Sequence, residues 1–360
     1  MSNQTQYVPD FVTPPGETLA ETLEALGMSQ AELGRRIGLA AATVNRIVQG
    51  REPISRETAL KLEKVFRVPA RFWNNRQVRY EEWLAREKER ETFQRNSAWV
   101  RRFPLATMQK YGWLPPAKTV EEKVDGVLKF FGVGSPDEWE KIWATEFKGH
   151  FRHSRNLRSD PPSLAAWLRQ GELVAQSSET PPYNKARFSA AIHEVRELTR
   201  EAPEVFENRM REICSAAGVI LVFLRELPKV CANGACFWHR DHPVILLNIR
   251  HKTDDHLWFT FFHEARHVLQ NVRKDRFIDE AGTTDGDLEE DANSFAANVL
   301  IPAAAYRQFT EHGDYSYQSV REFAGQLGIA PGIVVGRLQH DRLVPFSHLN
   351  RLKRKLVWAA

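Results

Sequence analysis

Apolar residues recur at helical spacing through the N-terminal part of the chain. Leu19, Leu23 and Leu26 lie three or four positions apart, which predicts an amphipathic helix that ends at the glycine after them. Ser29 with Glu32 three positions later has the form of a capping box, in which side chains satisfy the free backbone N–H groups of a helix start. Further helices are predicted over Ala41–Val48, over Arg56–Phe66 and from Pro69 onwards.

A three-residue turn, Gly38-Leu39-Ala40, joins the second predicted helix to the third. This spacing is typical of a helix-turn-helix, whose second helix reads bases in the major groove of DNA. Small helical bundles also contain such corners, so the spacing leaves a purely structural interpretation open. The polar residues predicted to contact DNA, on both helices of the motif and just after them, are Gln30, Thr43, Asn45, Arg46, Gln49 and Arg51.

The local charge favours DNA binding. The whole chain has a formal net charge of only +4, but the segment from Arg35 to Arg79 holds eleven basic residues and three acidic ones. Such an excess of positive charge attracts polyanions such as the phosphate backbone of double-stranded operator DNA.

The sequence after this motif indicates a connecting helix and then a helical middle region. Residues 81–100 are dense in alternating charges, which indicates an exposed connecting helix. Over 101–210, helical patterns are broken by prolines and carry tryptophans at apolar positions, which indicates a helical middle region. With a disordered start over 1–14, a helix-turn-helix domain over 15–80 and a C-terminal domain over 211–360, these segments make up the predicted domain organisation.

Composition narrows the class of protein. A chain of 360 residues with 42% hydrophobic residues can build two or three cores. Three cysteines form no disulfide framework, the N-terminal stretch does not have the pattern of a secretory signal, and the longest apolar runs are too short to cross a bilayer. The sequence therefore predicts a cytoplasmic protein that does not act in a membrane.

The pattern changes at Gly218, where short apolar segments rich in β-branched and aromatic residues begin. Gly218–Leu224, Ala235–Trp238 and Pro243–Ile249 predict a small antiparallel meander, with Asn233-Gly234 as its turn signal. The meander leads into a predicted helix, Asp254–Asn271.

This helix contains the sequence His263-Glu264-Ala265-Arg266-His267. On a helix, residues four positions apart project from one face, so both imidazoles are placed to bind one Zn²⁺. Glu264, next to the first histidine, is placed to act as the general base toward a water molecule. In a chain with 12 histidines the pattern also arises by chance, so its surroundings have to support it.

A second helix, beginning near Leu288, offers a third metal ligand. Glu289 stands four positions before Asn293, which places a carboxylate and an amide on the same face. The carboxylate can bind metal, and the amide can orient a histidine from behind. Glu290 and Asp291 compete for the ligand role but point about 100° and 200° away round the helix. The alternative is an acidic first turn that only interacts with the helix dipole.

Two stretches of the chain resemble known protein families. WFTFFHEARHVLQ, followed by EEDANSFAANVLIP, is similar to the ImmA/IrrE family of zinc metallo-endopeptidases. The N-terminal part resembles the Xre-type helix-turn-helix of HigA-type antitoxins. The resemblance implies a mainly α protein: a five-helix, lambda-repressor-like helix-turn-helix domain, a helical middle region, and a zincin-like α+β domain with a short antiparallel sheet.

The resemblance also implies roles for single residues. His263, His267 and Glu289 would bind zinc, and Glu264 would be the general base. The N-terminal domain would bind an operator near its own promoter, usually as a homodimer.

In two places the chain departs from the family pattern. Arg266 stands before the second histidine, where the family often has a small residue, and Gln270-Asn271 stand where it often has a further histidine. The arginine either lies outside the cleft or disturbs the surroundings of the ligands. A second helix-turn-helix-like stretch, from Val320 to Leu338, has little basic character and is expected to pack within the C-terminal domain.

Two functions are compatible with these features. In the first, a DNA-binding regulator carries a peptidase domain that senses a signal or cleaves a partner regulator. In the second, a HigA-type antitoxin binds a cognate toxin and represses its operon, with the peptidase fold serving mainly as a scaffold.

Overall fold

The computed structural model describes residues 12–144, 158–270, 277–280 and 286–358. The chain divides into two compact units, one up to Ser97 and the other from Ala98 onwards. A disordered start is predicted over 1–14, and residues 1–11 of it lie outside the described part of the chain.

Five helices make up the described part of the first unit, as the resemblance implied. They are α1 (Pro15–Ala25), α2 (Gln30–Ile37), α3 (Ala41–Val48), α4 (Arg56–Phe66) and α5 (Ala70–Arg95). The last of these is a single helix of 26 residues, so the predicted connecting segment continues the fifth helix instead of forming one of its own.

Local sequence signals set the ends of these helices. The Ser29 hydroxyl accepts a hydrogen bond from the Glu32 backbone N–H at 3.1 Å, which caps α2. Gly38 ends α2 in the left-handed region at φ 69°, where glycine has no steric penalty. The apolar faces then meet in one core, in which Leu33, Val44, Leu62 and Trp73 are fully buried.

Helices also dominate the first part of the second unit. They are α6 (Ser97–Val100), α7 (Leu105–Lys110), α8 (Val120–Phe131), α9 (Pro136–Trp139) with a π-helical turn over Glu140–Ala144, α10 (Pro161–Gln176), α11 (Lys185–Glu197) and α12 (Pro203–Ala216). Trp139, Trp143 and Trp167 are buried, in keeping with a structural role for the tryptophans of this region.

The sheet that follows is mixed, so the prediction of a purely antiparallel meander was wrong. Strands β1 (Ile220–Phe223), β2 (Ala232–His239), β3 (His242–Leu247) and, later in the chain, β4 (Phe277–Glu280) are arranged in the order β1-β3-β2-β4. Strands β2 and β3 pair antiparallel, whereas β1 pairs parallel with β3. Strand β1 is a run of four apolar residues whose pattern specifies no direction, and its packing against α10 and α12 places it beside β3.

The predicted turn also lies elsewhere. Asn233 and Gly234 belong to strand β2, at a register irregularity against β4, and the hairpin turns at Arg240-Asp241 instead. Arg240 adopts a positive φ of 55° in this two-residue turn. Cys231 and Cys236 are therefore not opposed across a hairpin, and Cys214, Cys231 and Cys236 are free thiols.

The remaining helices are α13 (Asp254–Gln270), α14 (Asp287–Leu300), α15 (Ala303–His312), α16 (Tyr317–Leu327) and α17 (Pro331–His340). Helix α13 is central to the second unit and contacts α14, α17, β2 and β3. Helices α16 and α17 are the second helix-turn-helix-like stretch, and Val334 and Leu338 are fully buried in the same core as α13. This stretch packs within the C-terminal domain, as expected.

A buried ion pair anchors the start of α13 to the C-terminal segment. Lys353 Nζ lies 2.7 Å from Asp255 Oδ2 and 2.7 Å from Gln339 Oε1. The side chains of Lys353 and Asp255 are only 9% and 7% exposed. Removing the cation would therefore leave a carboxylate without its partner in a poorly solvated position.

We expect Lys353→Ala to lower the free energy of unfolding by about 3–5 kcal/mol, because it isolates a buried charge. Urea unfolding would measure the change, with Lys355→Ala as the matched control, since Lys355 lies in the same segment but is exposed. Equal stability of the two variants would contradict the anchoring role of Lys353.

Candidate metal centre and nucleic-acid interface

Helix α13 presents two polar faces from an otherwise apolar interior. His263 and His267 form one face with Gln270 and point toward α14, whereas Thr260 and Glu264 form another against β2. Both histidines are almost fully buried, at 2% and 1% exposure. Buried polar groups are costly unless they are paired, so these faces have to be matched by their neighbours.

Three side chains converge between α13 and α14. His263 Nε2 lies 3.1 Å from His267 Nε2 and 3.2 Å from Glu289 Oε2, and His267 Nε2 lies 3.3 Å from Glu289 Oε1. Among the residues that the structure describes, these three make up the one group of His, Cys or acidic side chains close enough to hold a metal ion.

The donor set fits zinc. Two imidazole nitrogens and one carboxylate oxygen are the ligand types that catalytic zinc sites use, with a further position left open. Tetrahedral bonds of about 2.0–2.2 Å place neighbouring ligand atoms roughly 3.3–3.6 Å apart, close to the separations of 3.1–3.3 Å found here. The sequence-predicted ligands are thus brought together in a suitable arrangement.

The carboxylate of this group is held in its ionised form. Burial raises the pKa of Glu289, but hydrogen bonding to His263 and His267 outweighs burial and lowers the pKa to about 2. A metal-ligating carboxylate has to be deprotonated, so Glu289 is ready to bind at neutral pH.

The other residues of α14 lie as their positions round the helix predict. Asn293 Oδ1 lies 3.0 Å from His263 Nδ1, so this amide orients the imidazole from behind. Glu290 is exposed, and Asp291 pairs with Arg266. Hydrogen bonds from Arg266 and Gln270 hold the pKa of Asp291 below its usual value.

Glu264 is completely buried against strand β2. A Cβ on Gly234 would lie 2.8 Å from Glu264 Oε1 and 2.6 Å from Thr260 Cγ2, so only a glycine allows the strand to approach this closely. Burial, together with the charge of Glu264, raises the pKa of the Cys236 thiol well above its usual value. Glu264 is therefore confined between the helix and the strand.

Sequence reasoning missed Gln270 and misread Gly234. Gln270 Oε1 lies 2.9 Å from His267 Nδ1. It therefore orients the His267 ring in the same way that Asn293 orients the His263 ring. Its position three residues after His267 on the same helix was the available signal. The isolated glycine in an apolar segment was a sign of close approach, but the Asn-Gly pair favoured a turn.

In the first unit, the polar residues predicted to contact DNA cluster round α3. Asn45, Arg46, Gln49 and Arg51 are exposed, and Thr43 is half-buried. Gln30 at the start of α2 reaches the same surface, because its Oε1 accepts a hydrogen bond from Asn45 Nδ2 at 3.1 Å.

Arg46 is held in place on this surface. Its Nε donates to Glu52 Oε2 at 2.8 Å, and its Nη2 donates to Thr43 Oγ1 at 3.1 Å. Side chains that are held in this way lose less conformational freedom when they bind a base or a phosphate.

The fold and the two surfaces define the class of this protein: a helix-turn-helix domain joined to a second unit with a buried two-histidine, one-glutamate centre. Comparison with family sequence models agrees. Residues 19–73 match the helix-turn-helix family, and residues 217–339 match the IrrE N-terminal-like domain of the M78 peptidase family. The chain therefore carries an Xre-like helix-turn-helix domain fused to an IrrE-like peptidase domain.

Solved structures resemble the N-terminal domain. An addiction-module antidote protein of a HigA family from Coxiella burnetii is 33% identical, with 23% of this chain and 91% of that chain covered and a TM-score of 0.22. The Pseudomonas aeruginosa antitoxin HigA, solved with the higBA promoter, is 34% identical (23% and 90% covered, TM-score 0.22). A Pseudomonas aeruginosa protein in complex with its operator DNA is 37% identical (21% and 82% covered, TM-score 0.20).

No curated protein matches the chain. Within the described residues, no helix is both long and apolar enough to cross a membrane.

We expect Gly234→Ala to lower the free energy of unfolding by about 1–3 kcal/mol, because the new methyl group overlaps Glu264 and Thr260. Gly325→Ala is the matched control: Gly325 lies in α16 with open space round it, so alanine there should stabilise by up to about 1 kcal/mol. Chemical unfolding of both variants gives the comparison. A change of the same sign and size in both would contradict the close approach of β2 to Glu264.

Proposed function

We propose that this protein is a DNA-binding transcriptional regulator with a zinc-dependent endopeptidase domain that cleaves or senses a partner regulator. The observation that carries the enzymatic part is the convergence of His263, His267 and Glu289, with Glu264 buried on another face of the same helix. Both histidines are buried, Glu289 is 22% exposed, and bringing such polar side chains to one point inside a protein is costly unless a bound ligand offsets it.

A zinc ion at this site would act as a Lewis acid that polarises a peptide carbonyl and makes water more acidic. His263 and His267 would hold the ion through Nε2, because each Nδ1 faces an amide oxygen, from Asn293 and Gln270 respectively. Glu289 would supply the third ligand as a carboxylate.

Glu264 would act as the general base, accepting a proton from water and passing it to the leaving amine. Its confinement against Gly234 limits the positions that its carboxylate can take. Such restriction favours proton transfer, because a catalytic group has to be held within a short distance of the reacting atoms.

The first unit would bind operator DNA. The exposed residues of α3 would read an operator, with Arg46 and Gln49 at base edges, while the basic excess of the segment neutralises phosphates. A homodimer would place two copies of α3 in successive major grooves of a palindromic site. Binding near its own promoter would make the protein an autorepressor.

The antitoxin hypothesis draws its support from the helix-turn-helix region alone. The antitoxins that resemble this chain cover under a quarter of it, and the resemblance does not extend to the metal centre. We therefore favour a regulator with a working peptidase domain over a toxin-binding scaffold.

We expect Glu264→Gln to retain zinc but to abolish cleavage, because an amide cannot accept the proton. The zinc-loaded full-length protein and its Glu264→Gln variant would be incubated with a library of peptides from a digested proteome, and new termini identified by mass spectrometry. Zinc-dependent cleavage by the native protein alone is the expected result. Equal cleavage by both proteins, or none by the native protein, would contradict the peptidase proposal.

We expect Arg46→Ala to weaken operator binding by about 1–3 kcal/mol, because a base contact is lost. The probe would be a duplex selected from random DNA by the full-length protein, with affinity measured at fixed salt. Arg90→Ala is the control, since Arg90 is an exposed arginine of α5 that pairs with Glu87 away from α3. Equal affinity of the native protein for the selected duplex and for random DNA would contradict sequence-specific binding.

A further inference from the structure

Arg266 stands inside the His-Glu-x-x-His sequence, and its side chain reaches toward α14. We propose that Arg266, Asp291 and Gln270 form a positioning relay that fixes the orientation of His267 and thereby strengthens metal binding. The inference rests on the proposed zinc site and assigns a role to three residues outside the ligand set.

The relay begins at the second histidine. Gln270 Oε1 lies 2.9 Å from His267 Nδ1. An oxygen there can only accept, so the imidazole carries a proton on Nδ1, which leaves Nε2, on the side of the ligand cluster, as the nitrogen available to a metal. A histidine ligand depends on such a partner for its ring orientation and its basicity.

The amide of Gln270 cannot be reversed without loss. Its Nε2 donates to Asp291 Oδ2 at 2.8 Å and to the Leu288 carbonyl oxygen at 3.1 Å. Both partners on this side are acceptors, so a flipped amide would place oxygen against oxygen there and N–H against N–H at His267. The two acceptors on α14 thus determine which atom of Gln270 faces the histidine.

Arg266 in turn holds Asp291. Its Nε and Nη2 donate to the two carboxylate oxygens of Asp291 at 2.6 and 3.1 Å, and its guanidinium lies over the Phe295 ring, 5.1 Å from the centroid. Two parallel hydrogen bonds from a planar guanidinium fix both the position and the rotation of a carboxylate. Arg266 therefore connects α13 to α14 and orients the acceptor that orients Gln270.

This arrangement explains how a bulky cation fits inside the motif. Arg266 and Gln270 are four residues apart on α13, and each reaches Asp291 from the same side. The relay gives His267 an amide partner equivalent to the one that Asn293 gives His263. The two departures from the family pattern, at Arg266 and Gln270, thus belong to one network.

The test is the dissociation constant for zinc alone, measured on full-length protein by competition with a chromophoric chelator. Gln270→Ala should bind zinc about 10–100-fold more weakly, and Asp291→Asn about tenfold more weakly, since outer-shell partners contribute on that scale. Glu290→Gln is the matched control: it removes the same charge from the same turn of α14 and should stay within about twofold of native affinity.

A double variant distinguishes positioning from a general loss of structure. In the relay, Asp291 acts on His267 only through Gln270, so Asp291→Asn should cost little once Gln270 is gone. Gln270→Ala combined with Asp291→Asn should therefore bind zinc within about threefold of Gln270→Ala alone. Thermal unfolding of each variant would show that the fold is retained.

The outcomes are distinct. If native protein binds no zinc, the proposed function fails, and the relay fails with it. If native protein binds zinc and Gln270→Ala and Asp291→Asn bind it equally well, the relay alone is overturned. A double variant that loses the full factors of both single variants would likewise overturn it, because the two residues would then act independently.

Discussion

The contact between the polar faces of α13 and α14 is the constraint on which the second unit depends. His263 and His267 have almost no exposure to solvent, so their polar atoms have to be matched inside the protein. Two residues of α14 pair with these atoms. Glu289 faces the Nε2 atoms of the histidines, and Asn293 pairs with Nδ1 of His263. A shift of one residue between the two helices would turn both partners away. The requirement for pairing therefore fixes the register of the helices, while the apolar faces of α13 hold it in the core.

Features that depend on neighbouring residues could be predicted from the sequence. The turn at Gly38 and the cap at Ser29 follow from local backbone chemistry, and they are found where the sequence indicates them. The approach of Glu289, and not of Glu290, to the two histidines was also predictable, because Glu289 shares a helix face with Asn293. These predictions hold because a helix imposes its geometry on each residue without help from the rest of the chain.

Features that depend on distant parts of the chain could not be predicted. Strand β1 pairs parallel with β3, a choice that depends on how the helices cover the sheet and not on the strand's own pattern. Gly234 was read as part of a turn, yet it is required by the approach of β2 to Glu264. The contact of Gln270 with Asp291 exists only once α14 has docked. In each case the deciding partner lies far away in the sequence.

The central claim is that the buried centre is a zinc site, and the metal content of the purified full-length protein tests it most directly. After dialysis against zinc and then against metal-free buffer, we predict about one zinc per chain in the native protein and far less in His263→Ala, because one of three ligands is lost. Equal zinc content in the two proteins, or negligible zinc in both, would contradict the account.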